Sequence, residues 1–113
     1  MTKHDDIPYL KHILDAINDI QESIGNKQQG EFNQNKDVKD ATIRRLEIIG
    51  EAAKHVSTEL KKKSPEVQWK AITGTRDVMI HAYFKVDLDV VWRIVKRDLP
   101  RLKQQIEIIL TNS

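Results

Sequence analysis

The chain has 113 residues, 39% of them hydrophobic and 32% Asp, Glu, Lys or Arg, with a formal net charge of +2 and no cysteine. This balance describes one globular domain, 1–113, and excludes a disordered tail, a disulfide scaffold and a thiolate metal site. Apolar runs fall far short of the ~20 residues of a membrane span, and the opening MTKHDDIPYL lacks the order of a signal peptide, so a cytoplasmic location is expected. The small positive charge permits nucleic-acid binding without arguing for it alone.

Ile7, Leu10, Ile13, Leu14, Ile17, Ile20 and Ile24 recur at steps of three and four, the spacing of one stripe on an α-helix. Asp5 or Asp6 can cap its start, Pro8 is tolerated in the first turn, and Gly25 stands where a left-handed C-terminal residue is expected. The polar, glycine-containing stretch GNKQQGEFNQNK (25–36) reads as a loop.

A second helical pattern runs through Val38, Ala41, Leu46, Ile49, Ala52, Ala53, Val56 and Leu60. Gly50 inside it costs ~1 kcal/mol relative to alanine, and close approach of another helix at GEAA (50–53) is a natural compensation. KKKSP ends the segment, and Ser64–Pro65 offers a cap and a first-turn proline for a third, short helix carrying Val67, Trp69 and Ile72. Gly74 either interrupts that helix, with Thr75 capping a fourth from Arg76 to about Phe84, or kinks one continuous helix.

Asp87 can cap a last helical stretch through Val91, Ile94, Val95, Leu99, Leu102, Ile106 and Ile109 or Leu110. Pro100 either kinks it or marks a new start capped by Asp98. No segment alternates with a period of two for long. The expected fold is all-α, an antiparallel bundle of four to five helices without a sheet.

The stretch GTRDVMIHAYFKVD (74–87) sets Arg76, Asp77, His81 and Tyr83 among residues apolar enough for a core. On an ideal helix each residue turns ~100°, so Arg76 and Tyr83, seven apart, share a face. Asp77 and His81, four apart, share another, and Asp77 is placed to hydrogen-bond the imidazole. Arg76 and His81 point ~140° apart. One site would then need a bend near Gly74, a long reach by Arg76, or a second subunit that pools two Arg and two His across a two-fold axis. Such a cleft suits RNA cleavage: a His takes the proton of a ribose 2′-hydroxyl, another protonates the leaving oxygen, and Arg meets the charge on phosphate. With no carboxylate cluster or His–His ligand spacing near the motif, neither a metal nor a cofactor is expected.

Arg76-Asp77-Val78-Met79-Ile80-His81-Ala82-Tyr83 resembles the R-x-x-x-x-H-x-Y signature of HEPN-domain toxins of the HepT type. RRLEIIGEAAKHV (44–56), WKAITGTR (69–76), VDLDVVWRIV (86–95) and DLPRL (98–102) look like further blocks of that family. The resemblance implies an all-α HEPN bundle that dimerises with its motifs facing a shared cleft. It implies a ribonuclease toxin of a type VII toxin–antitoxin module, with Arg76 and His81 catalytic and Asp77 supporting them. It also implies an MntA-like nucleotidyltransferase antitoxin as partner, which silences the toxin by transferring AMP to Tyr83.

Blander readings stand beside these. Arg76 could be a surface charge, His81 a core histidine held by Asp77, and Tyr83 packing beside Phe84. Glu51 reads as helix packing, Trp69 and Trp92 as core or dimer interface, and His4, His12 and His55 have no role. Lys61 to Lys63 suit the negative end of a helix dipole. On those readings the chain is a non-catalytic HEPN partner of a nucleotidyltransferase, or a helical scaffold.

Overall fold

The computed structural model describes residues 5–74 and 87–112. Those residues are helical, with no strand among them. The elements are α1 (Ile7–Ile24), α2 (Gln29–Gln34), α3 (Lys36–His55) and α4 (Thr58–Lys63), then a helical segment 69–74. After the undescribed stretch follow α5 (Leu88–Arg93), a π-helical turn (Ile94–Asp98) and α6 (Leu99–Thr111). No helix among the described residues is long and apolar enough to cross a membrane.

The apolar stripe of α1 forms the centre of the core. Leu10, Ile13, Ile17, Ile20 and Ile24 are buried, Leu14 is half-buried, and Ile7 at the start is exposed. Each fully buried aliphatic side chain contributes about 1.5–3 kcal/mol over leaving it in water. α1 packs chiefly on α3 and next on α6. Asp6, before α1, bonds Ser57, after α3, so these two helices run antiparallel. Lys103, early in α6, reaches Gln21, late in α1, at 3.5 Å, so α1 and α6 also run antiparallel.

At the start of α1 the two aspartates divide their work. Asp5 accepts from the N–H of Ile7 at 3.0 Å, while Asp6 turns its carboxylate to Ser57. Gly25 takes φ 53° and ψ −127°. That is a positive φ, as expected, but in the mirror image of extended backbone rather than the left-handed helical well.

The stretch 25–36 is not a plain loop. Six of its residues form α2, closed by a capping box in which the backbone N–H of Gln28 donates to Glu31. Its one aromatic, Phe32, is fully buried. A helix this short, with a single apolar residue, carries no periodic signal, which is why the sequence conceals it.

The second predicted helix breaks before Leu60. Val56 turns extended, and Ser57 caps α4 by accepting from the N–H of Leu60 at 3.1 Å. The step from Val56 to Leu60 keeps helical spacing across the break, so periodicity alone passes over it. Gly50, Ala52 and Ala53 are all buried, in keeping with close packing at GEAA.

Ser64–Pro65 does not start a helix. Ser64 ends α4, and its carbonyl accepts both the N–H of Val67 at 3.2 Å and the indole N–H of Trp69 at 3.0 Å. The next helix opens at residue 69.

Of the two readings of Pro100, a kink or a new start capped by Asp98, the capped start is not what forms. Asp98 is helical and makes no side-chain cap. Proline lacks the N–H that would bond the carbonyl four residues back, and its ring crowds that carbonyl. The chain answers with the wide turn at Ile94–Asp98, where the N–H of Leu99 bonds the carbonyl of Ile94, five residues back.

Candidate functional site

Arg76, Asp77, His81 and Tyr83 all lie outside the described residues, as does the expected break between the third and fourth helices. The described structure gives the two arms that hold the motif segment at either end.

The leading arm is the helical segment 69–74. Val67 and Trp69 are buried, and the Trp69–Ser64 hydrogen bond ties the arm to the end of α4. Ile72 packs against the core, and the chain is helical through Gly74. Among the described residues, a Cβ at Gly74 would meet nothing within 4 Å.

The returning arm begins at Asp87. Its carboxylate accepts from the N–H groups of Asp89 at 3.0 Å and Val90 at 3.4 Å, the cap foreseen from the sequence. Val91 is fully buried one turn later. α2 braces this arm twice. Phe32 meets the Trp92 ring at 5.3 Å between centroids, and the Gln29 amide donates to the Asp89 carboxylate.

Beside the leading arm lies a cleft of about 400 Å³. Leu46 and Ile49 of α3, Ile72 of the arm, and Leu99 and Leu102 of α6 give it an apolar floor. Arg97 and Arg101 stand on its rim, and the Gln105 amide closes one side by donating to the Glu66 carbonyl at 3.0 Å. The cleft holds arginine beside an apolar floor, a combination suited to a charged and partly planar ligand. Neither rim arginine belongs to the R-x-x-x-x-H-x-Y motif. Their signal is spacing: Arg93, Arg97 and Arg101 recur every four residues, each two places after buried Val91, Val95 and Leu99.

Other polar residues fall where simple packing puts them. Glu51 lies 3.3 Å from the His55 ring, and that ring stacks on Tyr9 with centroids 5.4 Å apart. Lys63 pairs loosely with Glu59 at 3.8 Å, at the C-terminal end of α4 where cations are favoured. Trp69 belongs to the core, and Trp92 is half-buried against it. Among the described residues, no group of three or more His, Asp or Glu side chains is placed to hold a metal ion.

Comparison with known proteins places this chain in a family. The model described as "Ribonuclease HepT-like" matches residues 13–109. The chain is 40% identical to the Methanocaldococcus jannaschii protein named "Putative RNase MJ1380", over 96% of this chain and 100% of that one. It is 42% identical to "Probable ribonuclease HepT" of Thermococcus cleftensis, over 88% of this chain and 90% of the relative. A protein of Caldanaerobacter subterraneus named "Putative RNase TTE0752" is 37% identical over 91% and 92% of the two chains. No solved structure matches significantly.

Proposed function

Because the chain belongs to the HepT-like ribonuclease family, we propose that it is a ribonuclease, the toxin of a cytoplasmic toxin–antitoxin pair. The observation that carries this reading is the family match over 13–109, which encloses the whole R-x-x-x-x-H-x-Y motif, together with relatives named as ribonucleases over almost their full length.

In this mechanism the reaction is endonucleolytic and independent of metal. His81 removes the proton of a ribose 2′-hydroxyl, whose oxygen attacks the adjacent phosphorus, and the 5′-oxygen leaves with a proton from the partner protomer's copy of the same histidine. The products are a 2′,3′-cyclic phosphate and a 5′-hydroxyl. Arg76 meets the phosphate oxygens with its planar fork as charge builds in the transition state. Asp77 holds the imidazole in one tautomer. Two protomers supply the two sets of groups across a shared cleft.

Regulation acts on Tyr83. An MntA-like nucleotidyltransferase transfers AMP from ATP: the Tyr83 oxygen loses its proton and bonds the α-phosphorus as the α–β anhydride bond breaks and pyrophosphate leaves. The added phosphate competes with RNA for Arg76 while the adenosine fills the cleft.

The test is direct. Unmodified protein is incubated with a mixed RNA pool in the presence of a chelator, beside Arg76→Ala and His81→Ala, and the product ends are identified. Cyclic-phosphate ends formed by the parent and lost in both variants support the assignment. An uncut pool, identical for all three proteins, sinks it and leaves a non-catalytic partner of a nucleotidyltransferase. An intact-mass increase on co-expression with the antitoxin, absent in Tyr83→Phe, tests the modification.

A further inference from the structure

We propose that Arg93, Arg97 and Arg101, with Lys96 beside them, form a stripe that grips the sugar–phosphate backbone of single-stranded RNA. This rests on the ribonuclease reading above and adds to it a binding surface separate from the motif.

The first support is charge. Residues 93–101 hold four cations and one anion, Asp98, for a net +3, while the whole chain carries +2; all remaining residues therefore sum to −1. The protein's positive character is concentrated in this short stretch, the footprint a polyanion recognises.

Geometry is the second. Val91, Val95 and Leu99 are buried, and each arginine follows one of them by two residues, which on a helix is the opposite side. Arg93, Lys96, Arg97 and Arg101 are accordingly exposed. Eight residues of rise spread the arginines over about 12 Å, room for more than one backbone phosphate. Arg97 Nε lies 3.3 Å from Asp98, but both side chains are more than half exposed, so water screens the pair and leaves the guanidinium available. Lys96 Nζ sits 5.0 Å from the Trp92 ring centroid, a contact that steadies its position along the stripe.

Continuity with the motif is the third. Arg97 and Arg101 also line the apolar-floored cleft, together with Ala71 and Ile72 of the leading arm. Ile72 precedes Arg76 by four residues in the sequence. The cleft that the stripe borders is thus lined by the segment that leads into the motif.

The experiment measures binding without cleavage. A fluorescently labelled single-stranded RNA carrying 2′-O-methyl groups offers no nucleophile, and its affinity is followed by anisotropy from 50 to 200 mM salt. The variant Arg93→Ala/Arg97→Ala/Arg101→Ala should flatten the log–log salt slope by about 2, since each phosphate contact on a single strand contributes ~0.7. Its affinity at low salt should fall on the order of tenfold or more. Replacing the same three by lysine should restore the slope, and Lys61→Ala/Lys62→Ala/Lys63→Ala should leave it intact. If the triple alanine variant loses its circular-dichroism melt, the single variants Arg93→Ala and Arg101→Ala should each flatten the slope by ~0.7.

A parent protein that cuts RNA, with a salt slope indifferent to the stripe, overturns this proposal and leaves the ribonuclease reading standing. A parent that neither binds this RNA nor cuts the unmodified pool overturns both. Stripe-dependent binding of polyglutamate without RNA binding overturns it in favour of an acidic protein partner.

Discussion

Asp6 holds Ser57 with both carboxylate oxygens, taking its backbone N–H at 2.8 Å and its hydroxyl at 2.6 Å. The same hydroxyl oxygen accepts from Leu60, so one serine joins the entry of α1 to the first turn of α4. Asp6→Ala removes two charge-assisted bonds at once, and hydrogen bonds to charged groups contribute about 1.5–3 kcal/mol each. A loss of 2–4 kcal/mol is a fair order of magnitude, because the exposed side of the site lets water replace part of it. Ser57→Ala should cost about 1–2 kcal/mol through the lost cap. Urea unfolding of both single variants and the double variant checks this, and the double should fall short of additivity by at least ~0.5 kcal/mol.

Phe32 governs the second expectation. Its side chain is fully buried and its ring meets Trp92. Phe32→Ala should lower stability by about 3–5 kcal/mol, the range for an aromatic lost from a core. Phe32→Leu, which retains most of the buried volume, should cost well under half of that. Thermal melts of the two variants decide whether α2 is a structural wedge or a passive connector.

Two glycines should respond in opposite directions. Gly25 has φ 53°, where a side chain is strained whatever the space around it. Gly25→Ala should therefore destabilise by about 1–3 kcal/mol. Gly30 lies within α2, and a Cβ there would meet nothing within 4 Å. Gly30→Ala should stabilise by about 0.4–1 kcal/mol through the unfolded chain's lost freedom. Denaturant midpoints with unchanged m-values would confirm both.

The proposed chemistry makes a graded prediction. His81→Ala should slow RNA cleavage by roughly 10²–10⁴-fold, the range for a lost general base. Arg76→Lys keeps the charge but not the two-pronged donor geometry, so it should recover only part of the activity lost in Arg76→Ala. Equal rates for the lysine and parent proteins would show that the fork has no part in the reaction.

Much of this architecture is legible in the sequence where burial follows helical period. The α1 series, the small residues at 50–53 and the Asp87 cap all lie where pattern and capping chemistry place them. What escapes is local competition between partners. Ser57 breaks a pattern whose spacing carries on past it, because a distant aspartate fixes its backbone. Ser64–Pro65 has the composition of a helix start, yet the Ser64 carbonyl is taken by the Trp69 indole from five residues ahead. The motif itself is recognisable as a string of residue types, whereas its reach and facing depend on positions outside the described structure. The arginine stripe shows the reverse: it lies outside that motif and is marked by a period and an offset from the apolar residues.

Trp92 sits between two very different neighbours, the Phe32 ring on one hand and the Lys96 ammonium on the other. Its emission therefore reports local polarity at the point where the connector, the returning arm and the cationic ridge converge. With Trp69→Phe the chain keeps a single indole fluorophore, since its only tryptophans are Trp69 and Trp92. Quenching or a spectral shift of that one emitter would then follow occupancy of the ridge in real time, with no dye attached.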